Sequence, residues 1–172
     1  EAEAKRTAKK RPLDPKLQMI RLEGDYDRQD KRAEDSLRDL ASNTEIIFKQ
    51  IDEDYRQNLI TAQDVADKKL ARERYVMEET LRVRDDQMTM EKRFQKDRLK
   101  LVDTTEAKFQ AEEKFKTRLE TLERQKTETK IAFDHKETAS DIEKGEIQEK
   151  LGQRIMEESI ANYNATKAVE DD

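Results

Sequence analysis

Apolar residues recur at helical intervals along most of this chain. Ala33, Leu37, Leu40, Ile47 and Ile51 follow nearly alternating steps of four and three, the spacing that lines up side chains on one helix face. From Ile51 the pattern changes. Tyr55, Ala66, Met77 and Met88 recur every eleven residues, as do Leu59, Leu70 and Leu81. A third series starts at Ile51 and Ala62 and turns polar at Glu73 and Arg84. Steps of four, four and three give about 3.67 residues per turn, which favours a straight or slightly right-handed supercoil. Beyond Phe94 the period shortens to seven. Phe94, Leu101, Phe115 and Leu122 share one seam position, and Leu119 and Phe133 share the second. Arg98, Lys108, Glu112 and Lys126 also fall on the seam. Such residues fit a partly solvated seam, or one whose partners touch different faces.

Punctuation supports the helical reading. Asp25 to Lys144 is 120 residues without proline or glycine, the two strongest helix breakers. As one helix it would be about 180 Å long. Acidic residues stand four places before basic ones at Asp52/Arg56, Glu78/Arg82, Glu112/Lys116 and Glu120/Arg124, each pair adding about 0.2–0.5 kcal/mol to a helix. The expected organisation has four parts. Residues 1–16 form an irregular basic head closed by Pro12 and Pro15, and residues 17–24 a short helical start. Residues 25–144 are the rod. Residues 145–172 are an acidic segment, helical and then frayed.

The fold class expected is all-α: a long, nearly continuous helix in an extended coiled coil or elongated helical assembly. The alternative is an antiparallel hairpin or bundle with turns near 42–44 and 103–105. Ser42-Asn43-Thr44-Glu45 and Asp103-Thr104-Thr105-Glu106 have capping-box spacing. Neither carries the glycine that commonly ends a helix.

Composition narrows the function. Charged residues make up 45% of the chain and hydrophobic ones 33%, which favours a thin apolar seam over a thick core. The net charge of −5 is too small to drive disorder by self-repulsion. Cysteine is absent, so disulfides and thiolate metal sites are excluded. No apolar run reaches the ~18 residues of a membrane span, and no hydrophobic signal-peptide core is seen. The opening Glu1-Ala2-Glu3-Ala4 reads as the remnant of a cleaved yeast secretion leader or as the ragged start of a processed chain, and carries no functional argument.

Enzyme signatures are missing, and no enzymatic activity or cofactor is expected. Three scattered glycines build no phosphate-cradling loop, and there is no Gly-x-Ser-x-Gly elbow. The single histidine, His135, has Ala132 three residues before it, where a bundle metal site would want glutamate. It reads as an exposed helix residue, and no metal site is expected. Phe94, Phe109, Phe115 and Phe133 read as packing residues, not base-stacking ones, and Asn164-Ala165-Thr166 as a chance match to a glycosylation acceptor.

Two sets of interaction residues are expected. The helix seam comprises Ile51, Tyr55, Leu59, Ala62, Ala66, Leu70, Met77, Leu81, Met88, Phe94, Leu101, Phe115, Leu119, Leu122 and Phe133. The basic head comprises Lys5, Arg6, Lys9, Lys10 and Arg11, which reads as a contact for nucleic acid, an anionic membrane or an acidic protein surface, as a nuclear-import signal, or as a solvated tail. With the acidic C-terminal segment it suits head-to-tail association, which generates open filaments. In layout the chain is similar to striated-fibre assemblins and giardins: a basic, proline-containing head and a long cysteine-free rod. The likeness is one of architecture, and the eleven-residue stretch departs from a strict heptad rod. The function expected is therefore structural. The rod associates with itself or with other coiled-coil proteins, in a cytoplasmic or cytoskeletal setting ahead of a secreted or granule one. No small-molecule substrate, nucleic-acid partner or transmembrane segment is expected. The alternatives are a stalk or scaffold subunit of a larger complex, and an amphipathic lipid-surface protein.

Overall fold

The structure is a computed structural model and describes residues 14–170. The chain is all-α, as its periodicity indicates, with three helices: α1 (Pro15–Arg56), α2 (Ala62–Leu101) and α3 (Thr105–Glu170). Among the described residues there is no strand. The basic head residues Lys5, Arg6, Lys9, Lys10 and Arg11 lie outside them.

Each helix start has a chemical cause. Asp14 caps α1 by accepting from the Lys16 amide at 2.9 Å. Pro15 stands at the first helical position, where its missing N–H removes no bond. Gly24 lies inside α1 and ends nothing, so the short segment expected at 17–24 is the first part of a 42-residue helix. The second helix opens on a reciprocal capping box. The Asp64 amide donates to Thr61 Oγ1 at 3.1 Å, and the Thr61 amide donates to Asp64 Oδ2 at 2.9 Å. The Thr61 amide and hydroxyl both donate to the Asp64 carboxyl and hold it below its usual range, the backbone bond foremost. For α3 the cap is Thr104, whose Oγ1 accepts from the Ala107 amide at 3.2 Å.

The expectation of unbroken helix from 25 to 144 is corrected by two interruptions, at 57–61 and 102–104. The second agrees with the turn expected near 103–105. The first replaces the one expected near 42–44. That segment stays helical because Thr44 is buried and its hydroxyl donates to the Leu40 carbonyl at 2.8 Å, inside the helix instead of across a cap. The true break is a Schellman motif. Asn58 takes a left-handed φ of 57°. Its amide donates to the Tyr55 carbonyl at 3.0 Å, and the Leu59 amide to the Asp54 carbonyl at 2.9 Å. Asparagine is one of the few residues that adopts this conformation at low cost.

The chain divides into two compact units. The first joins the described residues up to Ser36 with Val83–Arg124; the second joins Leu37–Arg82 with the described residues from Gln125 onward. In the first, Asp30 meets Gln87 and Glu34 meets Arg84, so α1 and α2 run antiparallel. Its buried apolar residues are Val83, Ala111 and Leu122. In the second, Asp52 pairs with Lys69 at 2.6 Å and Arg72 Nε donates to Thr44 Oγ1 at 3.0 Å, again an antiparallel α1–α2 contact. Between α2 and α3, Asp67 pairs with Lys144 at 2.5 Å and Glu73 with Lys136 at 2.6 Å. Ile51, Ala66 and Phe133 are its buried apolar residues. Partly exposed ion pairs of this kind contribute at most ~1 kcal/mol each, so they select register more than they supply stability.

Asn58→Val should lower unfolding stability by about 1–2 kcal/mol, because a β-branched side chain resists the left-handed region. Asn58→Gly should leave it unchanged or slightly raised. Urea unfolding followed by circular dichroism measures both.

Candidate functional site

The buried side of α2 in the first unit is polar. Val83, Gln87, Glu91 and Gln95 follow one another in steps of four, and all are buried. Gln87 is 2% exposed, less than any apolar residue of α2. Burying amide and carboxyl groups is costly unless they are hydrogen-bonded, and here a network answers most of that requirement. Gln87 Nε2 donates to Asp30 Oδ1 at 2.7 Å and to Glu34 Oε1 at 3.1 Å. Arg118 of α3 donates to the same Asp30 oxygen at 2.7 Å. Arg84 donates to Gln87 Oε1 at 2.7 Å and also pairs with Glu34. Tyr26 donates its phenol to Glu91 while its ring stacks on Phe94 with centroids 4.4 Å apart. All three helices of the unit are tied through one polar layer.

Its electrostatics follow from burial and pairing. Burial pushes the Glu91 carboxyl up, against the lowering effect of the Tyr26 bond. Burial and the bond to Glu91 both push the Tyr26 phenol up. For Glu34 burial acts upward, but the bonds from Arg84 and Gln87 prevail and its carboxyl sits low. Gln95 is the exception to satisfaction: it is 5% exposed and neither amide atom has a partner among the described residues. The layer resembles a registration device more than a reaction centre. Among the described residues no group of three or more His, Cys, Asp or Glu is placed to hold a metal ion, and His135 is exposed. Five surface clefts among the described residues hold about 200–260 Å³ each, below the ~300–1,000 Å³ typical of ligand pockets.

Of the expected seam, Ile51, Ala66, Leu122 and Phe133 are buried. Ala62, Leu70, Met77, Leu81, Met88, Phe94, Leu101, Phe115 and Leu119 are partly buried. Tyr55 and Leu59 are exposed, beside the turn that breaks the eleven-residue series. The periodicity missed Gln87, Glu91 and Gln95 because they are polar; their spacing of four from Val83 is the signal that places them on one face.

A second feature lies in the second unit. Lys144 stands beside Asp67, five residues into α2 after Ala62. The same step along α3 reaches about residue 149, where α2 ends as a neighbour, yet α3 continues to Glu170. Every side chain from Gln148 to Asn164 is exposed, including Leu151, Ile155, Met156, Ile160 and Tyr163. No helix is long and apolar enough to cross a membrane among the described residues. Comparisons with protein-family models, curated proteins and solved structures find no match to this chain.

Two substitutions test the polar layer. Gln95→Leu should raise stability by about 1–3 kcal/mol, since it removes a buried amide that nothing pairs. Urea unfolding of both chains measures the gain. Glu91→Gln keeps an acceptor for Tyr26 and removes the buried charge. A carboxyl raised in the folded state opposes folding once ionised, and that opposition disappears as pH falls below the ordinary glutamate value of about 4.3. The variant should therefore melt higher at neutral pH, and its advantage should narrow toward acid. A pH series of thermal melts reads the difference.

Proposed function

We propose that this chain is a structural, assembly-type protein that works by packing helices of neighbouring molecules onto its own. The observation that supports this is the α3 segment from about residue 149, where exposed Leu151, Ile155 and Ile160 have no covering helix among the described residues. The same segment departs from the rest of the chain in composition. Between Leu151 and Glu170 only Arg154, Glu157, Glu158, Lys167 and Glu170 are charged, a quarter of the positions against 45% overall. Ordinary surface helices of this protein are far more charged, so the change marks a surface built for contact.

An enzymatic role is not proposed. Polar head-to-tail filaments would need residues 5–11, which lie outside the described part. The uncovered α3 face is the better supported route to assembly, and it is apolar, so association through it should persist in salt.

Sedimentation of the full chain over a concentration series should show mass rising above the 20.4 kDa of one chain, with little change between low and high salt. A single-chain mass up to high micromolar concentration would overturn the self-association reading. Dissociation by salt would move the contact to the charged ends.

A further inference from the structure

We infer that α3 from Leu151 to Tyr163 is an antiparallel docking face for a second copy of this chain, with the two-fold axis passing between Ile155 and Met156. This rests on the assembly reading above and names its face and partner. At about 100° per residue, the large apolar side chains of the segment occupy one half of the helix. Gly152 and Ser159 lie at the middle of that half. Ile155 and Met156 stand on either side of them, and Leu151 and Ile160 form the edges, all four exposed. Nothing lies within 4 Å of a methyl group built on Gly152, so the middle of the face is open.

The arrangement is self-complementary. The proposed axis brings Gly152 of one copy against the partner's Ser159, and the reverse. Small residues facing each other let two helices approach closely, since interaxial distance is set by the side chains at the contact. The flanking Ile155 and Met156 then wrap that contact from both sides. The same axis pairs residue 149 with about residue 162 of the second copy, so the pairing ends where α2 begins to cover α3. A partner of this length fits the uncovered stretch without displacing the helices already present.

Charge argues against two other occupants of an apolar helix face. The exposed stretch from Gln148 to Asn164 carries Glu149, Lys150, Arg154, Glu157 and Glu158, two basic and three acidic. A lipid-binding helix would carry surplus Lys or Arg on its polar side, and a phosphate backbone would need the same. Neither surplus is present.

The absence of cysteine makes the geometry directly testable in the full chain. Chains carrying Gly152→Cys and Ser159→Cys are prepared separately, then mixed and mildly oxidised. The mixture should give disulfide-linked dimers several-fold faster than either chain alone, because bridging needs Cα atoms within about 7 Å. Faster linking of the Gly152→Cys chain with itself would mean parallel pairing and would overturn the proposal. Ile155→Glu lies on an exposed position, so its melting temperature should stay close to the parent's. Its dimer dissociation constant should rise about tenfold or more, the effect of losing a buried large apolar side chain. Association that survives Ile155→Glu and gives no preferential linking sinks this face while leaving self-association in place. A single-chain mass at every concentration sinks both. Helicity that rises only with phosphatidylserine vesicles would assign the face to lipid and reject the second copy.

Discussion

The carboxylate of Asp30 is where the first unit is held together. One oxygen accepts from Gln87 of α2 and from Arg118 of α3, both at 2.7 Å. Three helices thus share a single acceptor. An apolar contact would tolerate sliding by a few ångströms, because dispersion and burial are not directional. A charge-assisted hydrogen bond does not. In a chain with so little apolar material, directional bonds must do the work of choosing which turn of one helix faces which turn of another. Glu34, Arg84, Gln87 and Tyr26 with Glu91 extend that choice along the unit.

Such a layer selects more than it stabilises. Buried ionic groups lose hydration that their mutual attraction only partly returns. The raised Glu91 carboxyl shows the imbalance, and the unpaired amide of Gln95 shows it more plainly. Net stability has to come from the few well-buried apolar side chains. Leu122 is fully buried and worth about 1.5–3 kcal/mol. Phe133 does the same in the second unit, with the Arg74 guanidinium 5.8 Å from its ring centre. In the second unit the balance differs: apart from Thr44 its buried residues are apolar, and ion pairs such as Asp67–Lys144 run along its margin. The two units solve one problem, fixing helix register, with opposite placements of charge.

The helical nature of the chain and the turn before α3 could be read from sequence, because both depend on neighbouring residues. Helical spacing and the freedom from proline and glycine are local properties. The turn at 57–61 was legible too, but in a less familiar form. Thr61-Ala62-Gln63-Asp64 has capping-box spacing, and Asn58 supplies the left-handed residue usually supplied by glycine. Ser42-Asn43-Thr44-Glu45 has equal spacing and makes no turn, since no left-handed residue precedes it and Thr44 is enclosed by its unit. The partners of the polar layer were not legible. Gln87 finds Asp30 across 57 residues, and Arg118 finds it across 88. No local pattern distinguishes such a glutamine from a solvated one.

A core this thin also explains why helix surface is left over. Three helices cover one another only as far as the shortest neighbour extends, and α3 has 66 residues against 40 in α2. Past about residue 149 its large apolar side chains are exposed among the described residues. Elsewhere the chain protects exposed helix with charge, as at Glu79/Arg82 and Asp97/Lys100. From Leu151 on it uses isoleucine, methionine, glycine and serine instead. Charge on a surface keeps molecules apart, and its withdrawal from one helix face, with small residues set at the centre of that face, makes close approach by a neighbouring helix the arrangement that removes most apolar surface from water.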